Sequence, residues 1–288
     1  FRGCTVAITT RFDAEQTLTT LERLKINIVY MVPTMMRRIW ALPEDVRTGY
    51  DLSSLQTLWH LAAPCPAWLK ECFIEWLGAE VIWELYAGTE GQGTTMIRGD
   101  EWLTHKGSVG RPVEACEIKI VGEAGETLPS GEVGEVFLRP LTGQGTTYRY
   151  IGAEAKSIEG GWESLGDLGW MDEEGYLYLT DRLSDMILSG GANIYPAEVE
   201  AAIDAFPGVR SSAVIGLPDD DMGARLHAII DRPEGSVDAE EMNAHLADHL
   251  VRYKIPKSFE FVPEPVRDDA GKVRRKALRE ARLQLSAT

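Results

Sequence analysis

Two patterns of apolar residues alternate along the first hundred residues of this chain. Short runs rich in apolar residues at 26–32, 55–61 and 81–86 are typical of strands buried in a parallel sheet. A segment of helical periodicity lies between Pro66 and Gly78, residue types that favour a helix start and a helix end. The alternation predicts a parallel sheet covered by helices, and such sheets bind ligands beyond the carboxyl ends of their strands.

The pattern changes near residue 104. From there to 183, short β segments are separated by glycine-rich turns, which predicts a small antiparallel, barrel-like unit. Residues 184–288 return to alternating strand and helix patterns. We therefore predict an α/β protein of two domains. The larger domain, 1–183, combines a partial parallel α/β core (1–103) with the β-barrel-like unit, and a separate small α+β domain follows it.

The segment 181–200 joins the two predicted domains. Asp181 and Arg182 are expected to break the strand before them, and a Ser-Gly-Gly sequence at 189–191 follows as a loop that lets backbone approach a ligand closely. Pro196 then opens an amphipathic helix. From this segment alone, an ordinary inter-domain junction is as well supported as a hinge or a binding site.

Composition narrows the class of protein. With 44% hydrophobic and 26% charged residues, the chain of 288 residues is typical of a soluble globular protein. The net charge of −16 argues against nucleic acid as a partner, since such binding needs cations. No apolar run approaches the ~20 residues of a membrane span, and no signal-peptide pattern opens the chain. The four cysteines show neither metal-ligand spacing nor a disulfide framework, which predicts a reduced, cytoplasmic setting.

Candidate chemistry begins in the loop Tyr86–Glu90. It offers an aromatic face, small residues, a hydroxyl and a carboxylate directly after a predicted strand. These are the groups that ATP needs for its adenine, its phosphates and its Mg²⁺ ion. Taken alone, the loop is better explained as an ordinary turn than as a nucleotide site. A second loop at a strand end, Ala62–Pro64, lies at the same predicted edge of the sheet.

Further motifs follow in a fixed order: Gly-Asp-Leu-Gly at 166–169, the segment 181–200, and Gly-Lys at 271–272. Together with 86–90 they closely resemble the adenylate-forming enzymes, namely acyl-CoA synthetases, adenylation domains of peptide synthetases, and luciferases. The resemblance extends over essentially the whole chain. That family carries a Ser/Thr/Gly-rich phosphate loop well upstream of the position that corresponds to Phe1 of this chain. We therefore expect this chain to be the C-terminal portion of a longer synthetase, inactive without the missing N-terminal part.

The resemblance implies a nucleotide site and assigns roles within it. Its contacts with ATP or AMP would come from Ala62, Ala63, Pro64, Leu85, Tyr86, Ala87, Gly88, Thr89, Asp167, Arg182 and Asn193. Tyr86 would stack on adenine, Thr89 would contact the α-phosphate and Glu90 would hold Mg²⁺. Asp167 would accept hydrogen bonds from both ribose hydroxyls, and Arg182 would reach the same ribose.

The resemblance also implies a mobile C-terminal domain. Lys272 would be the catalytic lysine of adenylation, and Ser184 would be the hinge about which that domain turns. Ser189, Gly190 and Gly191 would line the tunnel for coenzyme A in the second pose. The chain departs from the family where Ala87 replaces a usual glycine, Leu165 a common threonine, and Ser184 the more frequent aspartate or lysine.

The expected function is ATP-dependent acyl-CoA synthesis. A carboxylic acid, of the fatty or bulky sterol-like kind, would form an acyl adenylate and pass its acyl group to CoA. Two alternatives stay open: an adenylation domain that loads a carrier protein, and a non-catalytic fragment that binds nucleotide.

Overall fold

The computed structural model describes residues 3–143, 147–148, 151, 154–232, 239–268 and 271–286. The first part of the chain alternates helices and strands, as predicted. Its elements are α1 (Ala14–Arg23), β1 (Ile28–Met31), α2 (Pro33–Trp40), α3 (Glu44–Arg47), β2 (Thr57–His60), α4 (Ala67–Leu77) and β3 (Ile82–Ala87). β1, β2 and β3 are parallel neighbours. Buried Leu58, Phe73 and Ile82 belong to the core between the strands and α4.

An antiparallel part follows without a break in the sheet. Its elements are β4 (Thr94–Arg98), α5 (Gly99–Trp102), β5 (Ser108–Pro112), β6 (Cys116–Val121), β7 (Gly134–Pro140), β8 (Lys156–Ile158), β9 (Trp162–Met171) and β10 (Leu177–Arg182). β5 pairs with β4 on one side and with β10 on the other. The described strands therefore form one ten-stranded sheet in the order β1-β2-β3-β4-β5-β10-β9-β7-β6, with β8 beside β9. The region predicted as a barrel is therefore continuous with the α/β region in one sheet, which β5 joins by pairing with both β4 and β10.

β10 extends further than the sequence pattern predicted. Asp181 and Arg182 do not break the strand, because their backbones still pair with Leu168 and Asp167 of β9. The register shifts between Leu179 and Asp181, a local irregularity that re-aims the end of the strand. The prediction of a strand break at these two residues was wrong. Because the strand continues, Arg182 is the cross-strand neighbour of Asp167.

The C-terminal part has a core of its own. Its elements are β11 (Ile187–Ser189), β12 (Ala192–Ile194), α6 (Pro196–Asp204), β13 (Ser211–Asp219), β14 (Gly223–Asp231), α7 (Ala239–His249), a 3₁₀ turn (Arg252–Lys254), β15 (Ser258–Val262) and α8 (Arg275–Ser286). β13 and β14 are antiparallel, and β15 runs parallel to β14. Val199 and Ile203 of α6 pack with Met242 and Leu246 of α7 in this core.

This mixture of a large parallel and antiparallel sheet with a separate small α+β region is the fold class that the sequence predicted. The predicted domain boundary at residue 183 stays a prediction, and it falls in the segment between β10 and β11. No helix in the part of the chain that the structure describes is long and apolar enough to cross a lipid bilayer.

Candidate active site

Three side chains meet where the ends of β3 and β10 lie beside the middle of β9. The Tyr86 hydroxyl donates a hydrogen bond of 2.6 Å to Asp167 Oδ2. Arg182 Nε lies 3.6 Å from Asp167 Oδ1, and its side chain is 65% exposed whereas that of Asp167 is 13% exposed. The cluster therefore consists of a sheltered carboxylate, a tyrosine that holds it, and a guanidinium that reaches into solvent.

Burial dominates the electrostatics of this cluster. It raises the pKa of the Asp167 carboxyl, while the hydrogen bond from Tyr86 and the charge of Arg182 act in the opposite direction. The pKa of the Tyr86 phenol is also raised, chiefly by burial and then by the neighbouring Asp167. Tyr86 is thus a firm hydrogen-bond donor at neutral pH. A carboxylate has about four acceptor sites, so Asp167 can accept further hydrogen bonds from a ligand.

Backbone geometry fixes the direction of Asp167. The preceding Gly166 has a φ of +81°, a conformation that glycine adopts without strain. Its amide donates to Ser164 Oγ at 2.9 Å, and its carbonyl accepts from the amide of Leu183 at 2.8 Å. The second contact ties the turn before Asp167 to the residue that follows Arg182.

Two side chains pack closely against Gly88 in the loop after β3. A Cβ atom added at Gly88 would lie 2.7 Å from Leu165 Cδ1 and 2.9 Å from Glu90 Oε2. The loop closes with a hydrogen bond of 3.0 Å from the Gly91 amide to the Gly88 carbonyl. Ala87 and Thr89 are exposed beside it. Leu165, a departure from the family pattern, therefore packs against the loop as apolar support.

The Ala62–Pro64 loop lies against the C-terminal part of the chain. Ala62 has a φ of +73°, an uncommon conformation for a residue with a side chain. An ideal Cβ on Gly271 would lie 3.2 Å from Ala63 Cβ and 3.5 Å from Thr34 Cγ2. The structure thus brings the turn that precedes Lys272 to the edge of the sheet predicted to bind nucleotide.

Lys272 itself is exposed, and its backbone is held in a turn. Its amide donates to Asp268 Oδ1 at 2.9 Å, and its carbonyl accepts from the Asp268 amide at 3.1 Å. Arg267 Nη1 donates to the Gly271 carbonyl at 3.2 Å. Residues 269–270 of the predicted turn lie outside the described residues.

The remaining predicted site residues belong to the C-terminal part and to the segment before it. Exposed Asn193 pairs with Leu188 across the β11–β12 hairpin, whose turn contains Gly190 and Gly191. The buried Ser189 hydroxyl donates to the Ala224 carbonyl at 2.6 Å. A Cβ at Gly190 would lie 2.2 Å from Met222 Cε.

A cavity of about 630 Å³ opens beside this hairpin, lined by Ser189, Met222, Tyr253 and Lys257 among others. Ser184, in the segment between β10 and β11, is exposed, and its hydroxyl donates to Asp185 Oδ1 at 3.3 Å. A second cavity, of about 540 Å³, lies beside Ser184 and is lined also by Arg182 and the start of α8.

A buried polar cluster under the Ala62–Pro64 loop was not found from the sequence. Lys70 Nζ donates to Glu84 Oε2 at 2.6 Å, and His60 Nε2 lies 3.8 Å from the same oxygen. Burial lowers the pKa of His60 to about 4, so the ring is neutral at pH 7 and the 3.8 Å approach is not an ion pair there. One signal in the sequence could have revealed this cluster. Lys70 and Glu84 stand at positions where the helical and strand patterns call for apolar residues.

Glu90 is the candidate magnesium ligand. Among the described residues, no group of three or more His, Cys, Asp or Glu side chains could hold a metal ion. Mg²⁺ usually takes one or two carboxylates together with substrate phosphates and waters. A single carboxylate in a loop where backbone is accessible therefore fits this ion when a nucleotide accompanies it.

Comparisons with known proteins identify the family of this chain. The family model of the AMP-binding enzyme matches residues 1–150, and that of the AMP-binding enzyme C-terminal domain matches residues 198–272. A feruloyl-CoA synthase from Amycolatopsis is 36% identical over 277 residues, covering 94% of this chain and 55% of that protein. A second relative is the 3-[(3aS,4S,7aS)-7a-methyl-1,5-dioxo-octahydro-1H-inden-4-yl]propanoyl:CoA ligase of Rhodococcus jostii. It is 36% identical over 280 residues, covering 96% of this chain and 52% of that protein.

A solved structure also matches. The o-succinylbenzoate CoA synthetase MenE of Bacillus subtilis, in complex with its acyl-adenylate intermediate, has a TM-score of 0.79 and 30% sequence identity, covering 93% of this chain and 54% of that one. The chain spans about half the length of the curated relatives it matches.

Proposed function

Because the chain belongs to the AMP-binding enzyme family, we propose that it provides the C-terminal half of an ATP-dependent acyl-CoA synthetase. A carboxylate oxygen of the acid would attack the α-phosphorus of ATP and release pyrophosphate. The thiol of CoA would then attack the acyl carbon, and AMP would leave. The observation that carries this proposal is the Tyr86–Asp167–Arg182 cluster at the same edge of the sheet as the turn of Lys272.

In the first half-reaction, Asp167 would accept hydrogen bonds from the ribose hydroxyls, with Arg182 beside it. Tyr86 would present its ring to adenine while its hydroxyl orients Asp167. Thr89 would contact the α-phosphate, and Glu90 would hold Mg²⁺, which neutralises phosphate charge when bound. Lys272 would neutralise the charge that builds up as the carboxylate approaches the phosphate.

In the second half-reaction, the C-terminal part would turn about Ser184. The β11–β12 hairpin with Ser189, Gly190 and Gly191 would then replace Lys272 at the active site and admit the pantetheine arm of CoA. The exposed position of Ser184 between β10 and β11 supports a hinge there, and the cavity beside Ser189 offers space along the hairpin.

We propose a bulky apolar carboxylic acid as the acyl donor. By their names, the Amycolatopsis and Rhodococcus relatives act on a ferulate-type acid and on a propanoate that carries a fused ring. Another relative is a long-chain-fatty-acid–CoA ligase of Mycobacterium tuberculosis, 33% identical over 288 residues. Aromatic, fused-ring and fatty acids share a large apolar body with one carboxylate.

The test uses the full-length protein that contains this chain. ATP–pyrophosphate exchange should depend on an added acid of this class, and CoA should be consumed only when acid and ATP are both present. Exchange without CoA consumption would instead favour a carrier protein or an amine as the acceptor, and an amide bond synthetase of this fold matches with a TM-score of 0.81. Absence of acid-dependent exchange with the whole class would contradict adenylation.

A further inference from the structure

One arginine of the first part of the chain reaches into the C-terminal part. Arg37, on α2, donates from Nη2 to the carbonyl of Asp204 at 3.0 Å. Its Nη1 donates to the carbonyls of Val209 and Arg210, at 3.2 and 2.6 Å. A single guanidinium therefore binds three carbonyl oxygens at the end of α6 and in the loop that follows. We call this contact the α2–α6 clasp.

The clasp is largely shielded from water. The side chains of Arg37 and Asp204 are 15% and 10% exposed, and Asp204 Oδ2 lies 3.8 Å from Arg37 Nη2. The guanidinium also lies 5.4 Å from the centre of the Trp68 ring. Burial lowers the pKa of Arg37, against the raising effect of Asp204, yet a guanidinium stays protonated in proteins.

The partners of Arg37 suit a buried cation. The carboxyl end of a helix carries partial negative charge and leaves its last carbonyls without partners inside the helix. A planar guanidinium can serve several carbonyls at once, whereas a lysine ammonium is a single point charge. Because these acceptors belong to backbone, the clasp fixes the position of α6 itself and not only that of a side chain.

The clasp and the turn of Lys272 act on the same helix. Gly271 packs against Thr34 of α2 and against Ala63, and Thr34 precedes Arg37 by three residues. Residues spaced by three lie on one face of a helix. The same face of α2 therefore binds the C-terminal part at two points, one at α6 and one at the turn that carries Lys272.

We propose that Arg37 is a positioning residue, which holds the C-terminal part in the pose that presents Lys272 to the nucleotide. This inference rests on the proposed function. When the C-terminal part turns to admit CoA, the three hydrogen bonds of the clasp must break. Arg37 therefore biases the equilibrium between the two poses toward adenylation, and its loss shifts the population toward the other pose.

The kinetic test compares the two half-reactions in the full-length enzyme. Arg37→Ala should slow acid-dependent ATP–pyrophosphate exchange by about tenfold to a hundredfold, as expected for lost hydrogen bonds to a charged group. Thioester formation from supplied acyl adenylate should be unchanged or faster. Arg37→Lys should fall between Arg37→Ala and the wild type. Arg38→Ala, which removes the exposed neighbour on the same helix, should change either rate by no more than about twofold.

The structural test uses the 288-residue chain and needs no activity. Nitroxide-bearing amino acids at exposed Arg23 of α1 and Glu241 of α7 would report the distance between the two parts by electron double resonance. The distance distribution should be narrow in the wild type and in Arg38→Ala, and should broaden in Arg37→Ala. Should Arg37→Ala fail to fold, Arg37→Lys carries the test, with a smaller broadening.

The two tests separate the two hypotheses. Identical distance distributions in wild type and Arg37 variants would overturn the clasp, as would an equal loss of both half-reactions. The distance distribution could broaden in the Arg37 variants although the full-length protein forms no adenylate. That result would support the positioning role of Arg37 and reject the proposed function.

Discussion

At the scale of single residues, two tyrosine–aspartate pairs in and beside the large sheet invite comparison. Tyr86 donates to Asp167 at 2.6 Å, and Tyr178 donates to Asp172 at 3.1 Å. Asp172 also accepts hydrogen bonds from the amides of Glu174 and Tyr176, which makes it a cap of its own turn. Asp167 instead faces the exposed Arg182. The first pair therefore has the features of a binding site, and the second those of a structural turn.

Substitution of these two aspartates should separate binding from structure. Asp167→Ala in the full-length enzyme should weaken ATP and acyl-adenylate binding together by about a hundredfold, since hydrogen bonds to a charged acceptor contribute ~1.5–3 kcal/mol each. Asp172→Asn, the control, should leave both affinities unchanged. Calorimetric titration measures them, and an Asp167→Ala protein with wild-type affinity would show that Asp167 serves only as the hydrogen-bond acceptor of Tyr86.

His60 gives a pH-dependent contribution to stability. Its pKa is lowered by burial to about 4 from an ordinary value of 6.5, so the unfolded chain binds a proton between these values that the folded chain does not. As far as His60 is concerned, the free energy of unfolding is therefore highest above pH 6.5. It decreases as the pH falls toward 4, by up to about 3 kcal/mol.

Denaturant unfolding of the 288-residue chain at several pH values between 4.5 and 7 measures this dependence. His60→Phe should flatten this pH dependence, because phenylalanine binds no proton. The substitution removes no hydrogen bond, since neither ring nitrogen of His60 has a hydrogen-bond partner among the described residues. An equally steep dependence in wild type and variant would assign the protons to other groups.

At the scale of elements, the segment between β10 and β11 combines backbone restraint on both sides with an exposed centre. The Leu183 amide donates to the Gly166 carbonyl at 2.8 Å, and the Asp185 amide donates to the Arg182 carbonyl at 3.0 Å. Ser184 between them is exposed. Because the Ser184 side chain is exposed, a change in its φ and ψ requires no side chain of its own to leave a packed core.

Ser184→Pro tests the hinge. Proline fixes φ near −65°, so it should spare adenylation and slow thioester formation by about tenfold to a hundredfold, the range expected for ~1–3 kcal/mol of backbone strain in the second pose. Ser184→Ala should leave both half-reactions unchanged. The two rates are measured by pyrophosphate exchange and by CoA consumption from synthetic adenylate; an equal fall in both would indicate misfolding or a nucleotide contact.

At the scale of the whole molecule, the turn of Lys272 reaches the edge of the sheet predicted to bind nucleotide because the two separately packed parts dock. The C-terminal part contacts α2 and Ala63, and its helix α6 also contacts β10. Lys272→Ala should therefore affect one pose alone. In the full-length enzyme, adenylation should fall by ~10²–10³, the usual cost of removing one preorganised charge-stabilising group. Thioester formation from supplied adenylate should proceed near the wild-type rate.

Lys276→Ala, an exposed lysine of α8, is the control for the adenylation assay and should keep the wild-type exchange rate. If Lys272→Ala slows both half-reactions equally, or slows neither, the catalytic assignment is contradicted. Lys272 would then be a surface residue or one needed for folding.

Local patterns predicted most elements but not how they meet. The runs at 55–61 and 81–86 became β2 and β3, and α4 ends at Gly78 as predicted. Asp181 and Arg182 were wrongly expected to end a strand, because pairing with β9 outweighed their weak strand propensity. The approach of Gly271 to Ala63, and the clasp at Arg37, depend on docking between parts far apart in sequence. No periodicity within either part contains that information.

The strand β5 also limits how the gene could be divided for expression. An interruption near residue 103 would separate β4 from β5, although the two strands exchange hydrogen bonds across that point and β5 also pairs with β10. Each product would then present a newly unpaired strand edge, the kind of surface through which chains associate with one another. Fragment libraries and split-reporter fusions should therefore keep residues 94–182 in one piece with the three parallel strands before them.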